Sequence, residues 1–159
     1  MEESSDFLAP PVTSFDVEHL CDVAFSMKSK IFETPLGSRM VVIADEGRVR
    51  GPRLRGTMYN FGGRALFTSD GVVTSSATCM IHTHDGAEIS LLIGAQAPLP
   101  AEEPQQTFYT EKQRTWQNGW GYVTFETSAE PYRWLNVTFA VIQTATLASE
   151  VYLRLYRMT

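Results

Sequence analysis

Two arginines, two residues apart, carry the first chemical signal. They lie in Gly51-Pro52-Arg53-Leu54-Arg55-Gly56-Thr57, just before Met58-Tyr59-Asn60-Phe61-Gly62-Gly63-Arg64. A guanidinium is a permanent cation with five donors. Arg55 or Arg64 can therefore orient a phenolate or an enolised carbonyl, but neither is an acid near neutral pH. A proton must come from Tyr59, from a carboxyl such as Asp70 or Glu126, or from the substrate's own acidic group. Trp116 and Trp134 can stack on a flat ring or stabilise a carbocation, by roughly 0.5–2 kcal/mol each. His82 and His84 flank Thr83, a spacing that binds zinc only when a third ligand converges. His19 is the one other histidine, so no metal site is expected. The sequence has no Gly-rich phosphate loop, no Gly-x-Ser-x-Gly and no Cys–His pair at a useful spacing, so no nucleotide or flavin cofactor is expected.

These side chains have to be positioned by strands. With a period of two, Arg53, Arg55, Thr57 and Tyr59 share one face, and Leu54, Gly56 and Met58 the other. The arginines are either solvated on an outer face, as arginines mostly are, or they line a cavity. The flanking glycines and nearby aromatics favour an inward Arg55 and Tyr59. From Val72 to Thr83 a second alternation sets Thr74, Ser76, Thr78, Met80 and His82 against Val73, Ser75, Ala77, Cys79 and Ile81. The expectation is that Ser76, Thr78, Met80 and His82 form one cavity wall. Phe15–Glu33, Met40–Ala44, Glu88–Gly94, Gly121–Thr127, Trp134–Thr144 and Glu150–Met158 also read as strands, with Cys21, Val23, Phe25 and Met27 on one face. Trp134 and Asn136 would then share a face, as an aromatic wall and an amide anchor. Between the strands, Ala95–Asn118 carries Pro98, Pro100 and Pro104 and reads as a long mobile rim loop or lid. Many strands at short spacing, without helix patterns, predict an all-β barrel or sandwich.

Composition narrows the function classes. The 159 residues, 43% hydrophobic, suffice for one domain with a real core. A net charge of −5 argues against nucleic acid as a partner. No apolar run approaches the ~20 residues of a membrane span. The acidic start, Met1-Glu2-Glu3-Ser4-Ser5-Asp6, is unlike a targeting signal, and two cysteines are too few for a disulfide framework. Together these predict a cytoplasmic protein with two buried thiols. Residues 1–13 read as a loose tail, and 14–159 as a single domain.

Gly51–Thr57, Asp70-Gly71, Asp85-Gly86-Ala87, Phe125-Glu126-Thr127 and Tyr132-Arg133-Trp134-Leu135-Asn136, in this order and spacing, resemble the DUF3237 (UPF0311) family from about Phe15 to Met158. The resemblance implies a single antiparallel β-barrel of the allene-oxide-cyclase or lipocalin-like kind. The chain departs from the family pattern at two places. Arg64 and Ala65 stand where members commonly have Asp-Trp, and Ser76 and Thr78 where they have Asp-x-Arg. If those positions line the barrel, the cavity is wider and less charged than usual. Resemblance to fungal members implies a cofactor-free cyclase or isomerase. It would close an oxygen heterocycle by adding a hydroxyl across an alkene of a prenylated aromatic polyketide-like metabolite. Arg55, Arg64 and Tyr59 would be catalytic; Ser76, Thr78, Met80, His82, Trp116, Trp134 and Asn136 would bind a hydrophobic aromatic small molecule. Two other classes stay open: a carrier that binds such a ligand without chemistry, and a barrel that forms a homodimer through an exposed strand face.

Overall fold

Alternation of apolar and polar residues sets most of the strands, and their closure into a ring sets the core. The computed structural model describes residues 9–98, 115–147 and 150–159, with backbone alone at 115–118 and 146–147. The strands are β1 (Val17–Thr34), β2 (Gly37–Ala44), β3 (Gly47–Arg50), β4 (Gly56–Phe67), β5 (Val72–Thr83), β6 (Glu88–Pro98), β7 (Thr115–Glu126), β8 (Ala140–Leu147) and β9 (Glu150–Met158). All neighbouring pairs are antiparallel. β2 and β3 both lie between β1 and β4, one after the other, so they act as one interrupted strand. The pairing of β1 with β9 closes the ring eight strands wide. Closure removes the sheet edges that would otherwise template aggregation.

Cys21, Val23, Phe25 and Met27 are buried on one face of β1, as the alternation predicts. A register shift between His19 and Cys21 lets the adjacent Leu20 turn inward as well, fully buried. Between β7 and β8 the chain forms a 3-10 helix, Glu130–Val137, with a proline in its first turn. This corrects the expected strand over Trp134–Thr144, whose strand portion begins only at Ala140. The rim loop expected over Ala95–Asn118 is corrected at both of its ends. Residues 95–98 extend β6 and 115–118 belong to β7, while residues 99–114 lie outside the described part. No described helix is long and apolar enough to cross a membrane.

Candidate functional site

The barrel has one filled half and one hollow half, and side-chain volume explains both. Leu20, Leu54, Met58, Ile81, Ile89 and Leu135 are fully buried in the filled half. In the hollow half β4 and β6 end, and β5 and β9 begin. There the inward positions of β4–β7 carry Gly63, Ala65, Ala77, Ala95, Ala97 and Gly119, which leave a cavity of about 150 Å³. Phe25, Val42, Phe61, Ile93 and Leu153 supply the remaining apolar wall. The Phe25 and Phe61 rings stand 4.5 Å apart, centre to centre. Ser75 and Thr144 bring the inward hydroxyls, and Arg64, Ser76 and Gln96 lie at the edge. Arg64 is the one titratable residue of the described lining. An apolar void of roughly this volume takes a benzene-sized guest.

Of the residues singled out from sequence, Arg64 and Ser76 reach this lining, both from outward positions at its edge. The other candidates with described side chains stand elsewhere. Arg55 is exposed, and its backbone carbonyl accepts the His84 N–H at 2.9 Å. The faces of this strand are reversed from expectation because Leu54 and Met58 take the inside, each 1% exposed. A period of two allows no compromise once that face is buried. Tyr59 is accordingly outside, donating its hydroxyl to Glu88 Oε2 at 2.6 Å. His82 Nδ1 lies 2.7 Å from the other oxygen of that carboxylate. The hydrogen bonds from Tyr59 and His82 hold Glu88 below the usual carboxylate range. The same bond to Glu88, with a little burial, raises Tyr59 above the ordinary phenol value, which makes it a poorer proton donor.

β5 shows the same reversal. Thr78 and His82 are exposed and Met80 is half-buried on the outer side, whereas Val73, Cys79 and Ile81 are buried. The wall expected of Ser76, Thr78, Met80 and His82 is instead built by Val73, Ser75 and Ala77. The signal was present, since that face is the more apolar of the two. Asp70 and Glu126, weighed as proton donors, are also exposed. Trp116 pairs through its backbone with Ala145, and its side chain lies outside the described part. Burial raises both thiols, Cys21 well above its ordinary value and Cys79 up to about 12, so neither is a ready nucleophile. Among the described residues no three His, Cys, Asp or Glu side chains converge as metal ligands.

Apart from Asp70-Gly71, at the turn between β4 and β5, the motif residues meet at the filled end. The Arg53 and Leu54 amides donate to the Leu20 carbonyl at 3.1 and 3.3 Å, which carries Leu54 into the core. A Cβ at Gly51 would lie 2.4 Å from Leu20 O, and one at Gly56 2.0 Å from His82 O. Both positions therefore exclude a side chain, and Gly56 also has φ +155°. Tyr132, 7% exposed, donates to both Asp85 oxygens at 2.8 and 2.9 Å, and Thr83 Oγ1 donates to Asp85 Oδ1 at 2.5 Å. These donors hold Asp85 below the usual carboxylate range. Thr127 Oγ1 donates to the Glu88 carbonyl at 2.7 Å. Asn136 accepts from the Thr127 amide and donates to the Thr127 carbonyl, both at 2.8 Å. Trp134 sits in the 3-10 helix with the Arg53 and Arg157 guanidinium groups 4.4 and 5.2 Å from its ring. Trp134 and Asn136 thus share no strand face, and neither lines the cavity.

Comparison places this geometry among known barrels. The profile of the family described as "Protein of unknown function (DUF3237)" matches residues 13–158. No curated protein matches the sequence. Among solved structures, a conserved protein of unknown function from Rhodopseudomonas palustris superposes with a TM-score of 0.82 at 16% identity, covering 93% of this chain and 100% of that one. A beta-barrel like protein from Acinetobacter baumannii gives 0.74 at 24% identity, covering 97% and 100%. An enzyme from Penicillium herquei gives 0.72 at 21% identity, covering 96% and 100%.

Proposed function

The chain belongs to the DUF3237 family, and on that premise we propose that it is a cofactor-independent cyclase or isomerase. Its substrate would be a hydrophobic aromatic, polyketide-like metabolite bearing a prenyl or other alkene arm. The observation that carries this reading is the half-barrel cavity. It is walled by apolar side chains and large enough for one ring or one short branched arm, with a cation at its edge. The fold of the Penicillium herquei enzyme supports a catalytic reading of such a barrel.

In this reading the alkene arm enters the cavity and the acidic oxygen stays at the edge beside Arg64. The O–H bond of the substrate's phenol breaks and its proton goes to the less substituted alkene carbon. The alkene π pair forms the new C–H bond, and the phenolate oxygen closes on the resulting carbocation to form the C–O bond. The product is an isomer of the substrate. Phe25 and Phe61, both in the lining, would stabilise the cationic carbon by cation–π attraction. The apolar wall excludes the water that would trap it, and confinement of the arm selects one closing conformer. Ser75 and Thr144 can each hold one substrate oxygen.

A second reading has its own support. The described lining holds no side chain that exchanges a proton near neutral pH, which suits a carrier that binds the same ligand unchanged. Incubation of the purified chain with a prenylated phenol, followed by extraction, separates the two: a cyclase returns the ring-closed isomer and a carrier returns the starting compound. Recovery of unchanged, unretained compound would refute both.

A further inference from the structure

The exposed charges of this protein are unevenly placed. The outward positions of β1, β3, β4 and β9 carry Asp22, Arg48, Arg50, Arg64 and Arg154, and Arg55 is exposed just before β4. Across β5–β8 the outward face is different. Within 74–80, 90–96, 120–124 and 141–143 it bears no charged or histidine side chain, in a chain with 31 acidic and basic residues (13 Lys and Arg, 18 Asp and Glu). The register sets these positions side by side: Thr78 opposite Leu92, Gly94 opposite Tyr122, Gln96 opposite Trp120, and Tyr122 opposite Val141. Leu92 is 51% exposed, Trp120 52% and Tyr122 43%; at the border Phe139 is 51% exposed. Tyr122 and Phe139 stack at 6.2 Å. Charge begins only at the border, with Arg64, Glu88, Glu126 and Arg154.

We propose that this outward face of β5–β8 is the twofold contact of a homodimer. A neutral, aromatic centre with a charged border is the composition of a protein interface rather than of ordinary surface. Charge identifies the occupant. A strongly acidic or basic partner would find no complement on the face. A second copy meets its match here, because a twofold contact on this face brings no like charges directly together. The relief also suits self-association. A groove of about 440 Å³ lies beside Trp120 and Tyr122, with Thr74, Ser76 and Gln96 along it, and Leu92 protrudes nearby. A twofold contact needs both knob and recess on one surface. Strand spacing and rise give the face roughly 450 Å² in projection. That is about half of the ~800 Å² per partner of a standard interface, before the accessible area of the exposed Leu92, Trp120, Tyr122 and Phe139 is counted.

Sedimentation velocity on the full chain tests the inference. The expected result is a species of twice the chain mass, with a Kd below about 10 μM. The double variant Leu92→Lys, Trp120→Lys should sediment as a monomer. Val41→Lys with Ile43→Lys, exposed on the outer side of β2, should leave the dimer intact. Hydroxyl-radical footprinting of the unaltered protein is the second readout and needs no variant. Trp120 and Leu92 should be protected at dimer concentrations and labelled on dilution, while Phe32 and Leu36 are labelled throughout. A monomer at about 100 μM, a dimer that survives the Leu92 and Trp120 changes, or concentration-independent labelling of Trp120 would each overturn it.

Discussion

Replacing Asn136 by alanine separates its observed role from the one its sequence suggests. The side-chain amide makes two 2.8 Å hydrogen bonds to the backbone of Thr127, and Thr127 is 9% exposed. A net hydrogen bond is worth about 1 kcal/mol, and a buried group left unpaired costs ~1–3 kcal/mol. Asn136 itself is exposed, so water can partly replace it. The working estimate for Asn136→Ala is therefore about 2 kcal/mol, at the lower end of the combined range. For a domain of this size that corresponds to a Tm lowered by roughly 4–8 °C. Equilibrium urea unfolding should show a lower midpoint with an unchanged slope. Asn136→Asp keeps an acceptor for the Thr127 amide but loses the donor to its carbonyl, so it should also be destabilised. Ligand affinity of the folded Ala variant should match the parent, because Asn136 is not among the residues that line the cavity. A variant as stable as the parent to within ~0.5 kcal/mol, but deficient in ligand binding, would refute the assignment and restore Asn136 as a ligand anchor.

Other perturbations test the remaining assignments. Gly56→Ala places a Cβ 2.0 Å from His82 O at φ +155° and should cost at least ~2 kcal/mol in chemical denaturation. Ala77→Leu fills part of the cavity opposite Gly63; it should raise Tm and weaken ligand binding at least ~10-fold by calorimetry. Arg64→Ala should lower kcat/KM by ~10-fold or more, whereas Arg55→Ala, on the outer side of the filled half, should leave it within ~2-fold. Asp22 tests pH dependence. Burial pushes its carboxyl up, but hydrogen bonds and charge from Arg154 and His19 outweigh this and leave it below its ordinary value. Its contribution is therefore present above about pH 4 and fades as pH falls further. Asp22→Asn should lower stability at neutral pH and flatten the acid limb of the unfolding curve. The effect should not exceed about 1 kcal/mol, because the side chain is 39% exposed.

Much of the barrel was legible in the sequence. The Cys21–Met27 alternation predicts the right face for its residues. The two arginine-bearing and hydroxyl-bearing strands were read with the right period and the wrong face. In each, burial decides the face: Leu54 and Met58, and Val73, Cys79 and Ile81, are the side chains that must leave water. The 3-10 helix at Glu130–Val137 was hidden because its anchor, Asn136 on Thr127, joins residues whose pairing has no periodic signal. Apart from Asp70-Gly71, the motifs that carry the family resemblance pack and pin the filled end, so they identify the fold without marking the cavity. The cavity arises from small residues spread over four strands, a property of volume that becomes visible only when the ring closes.

The most direct test of the account is the handedness of the product. The purified chain is incubated with a phenol bearing a 3-methylpent-2-enyl arm, whose closure puts a methyl and an ethyl group on the new C–O carbon and so creates a stereocentre, and the ring-closed ether is resolved by chiral chromatography against a buffer control. Confinement of the alkene arm among Phe25, Phe61 and Leu153 predicts one enantiomer in excess, formed faster than in buffer, with the excess lost in Ala77→Leu. A racemic ether formed at the buffer rate would contradict the claim that this cavity directs ring closure.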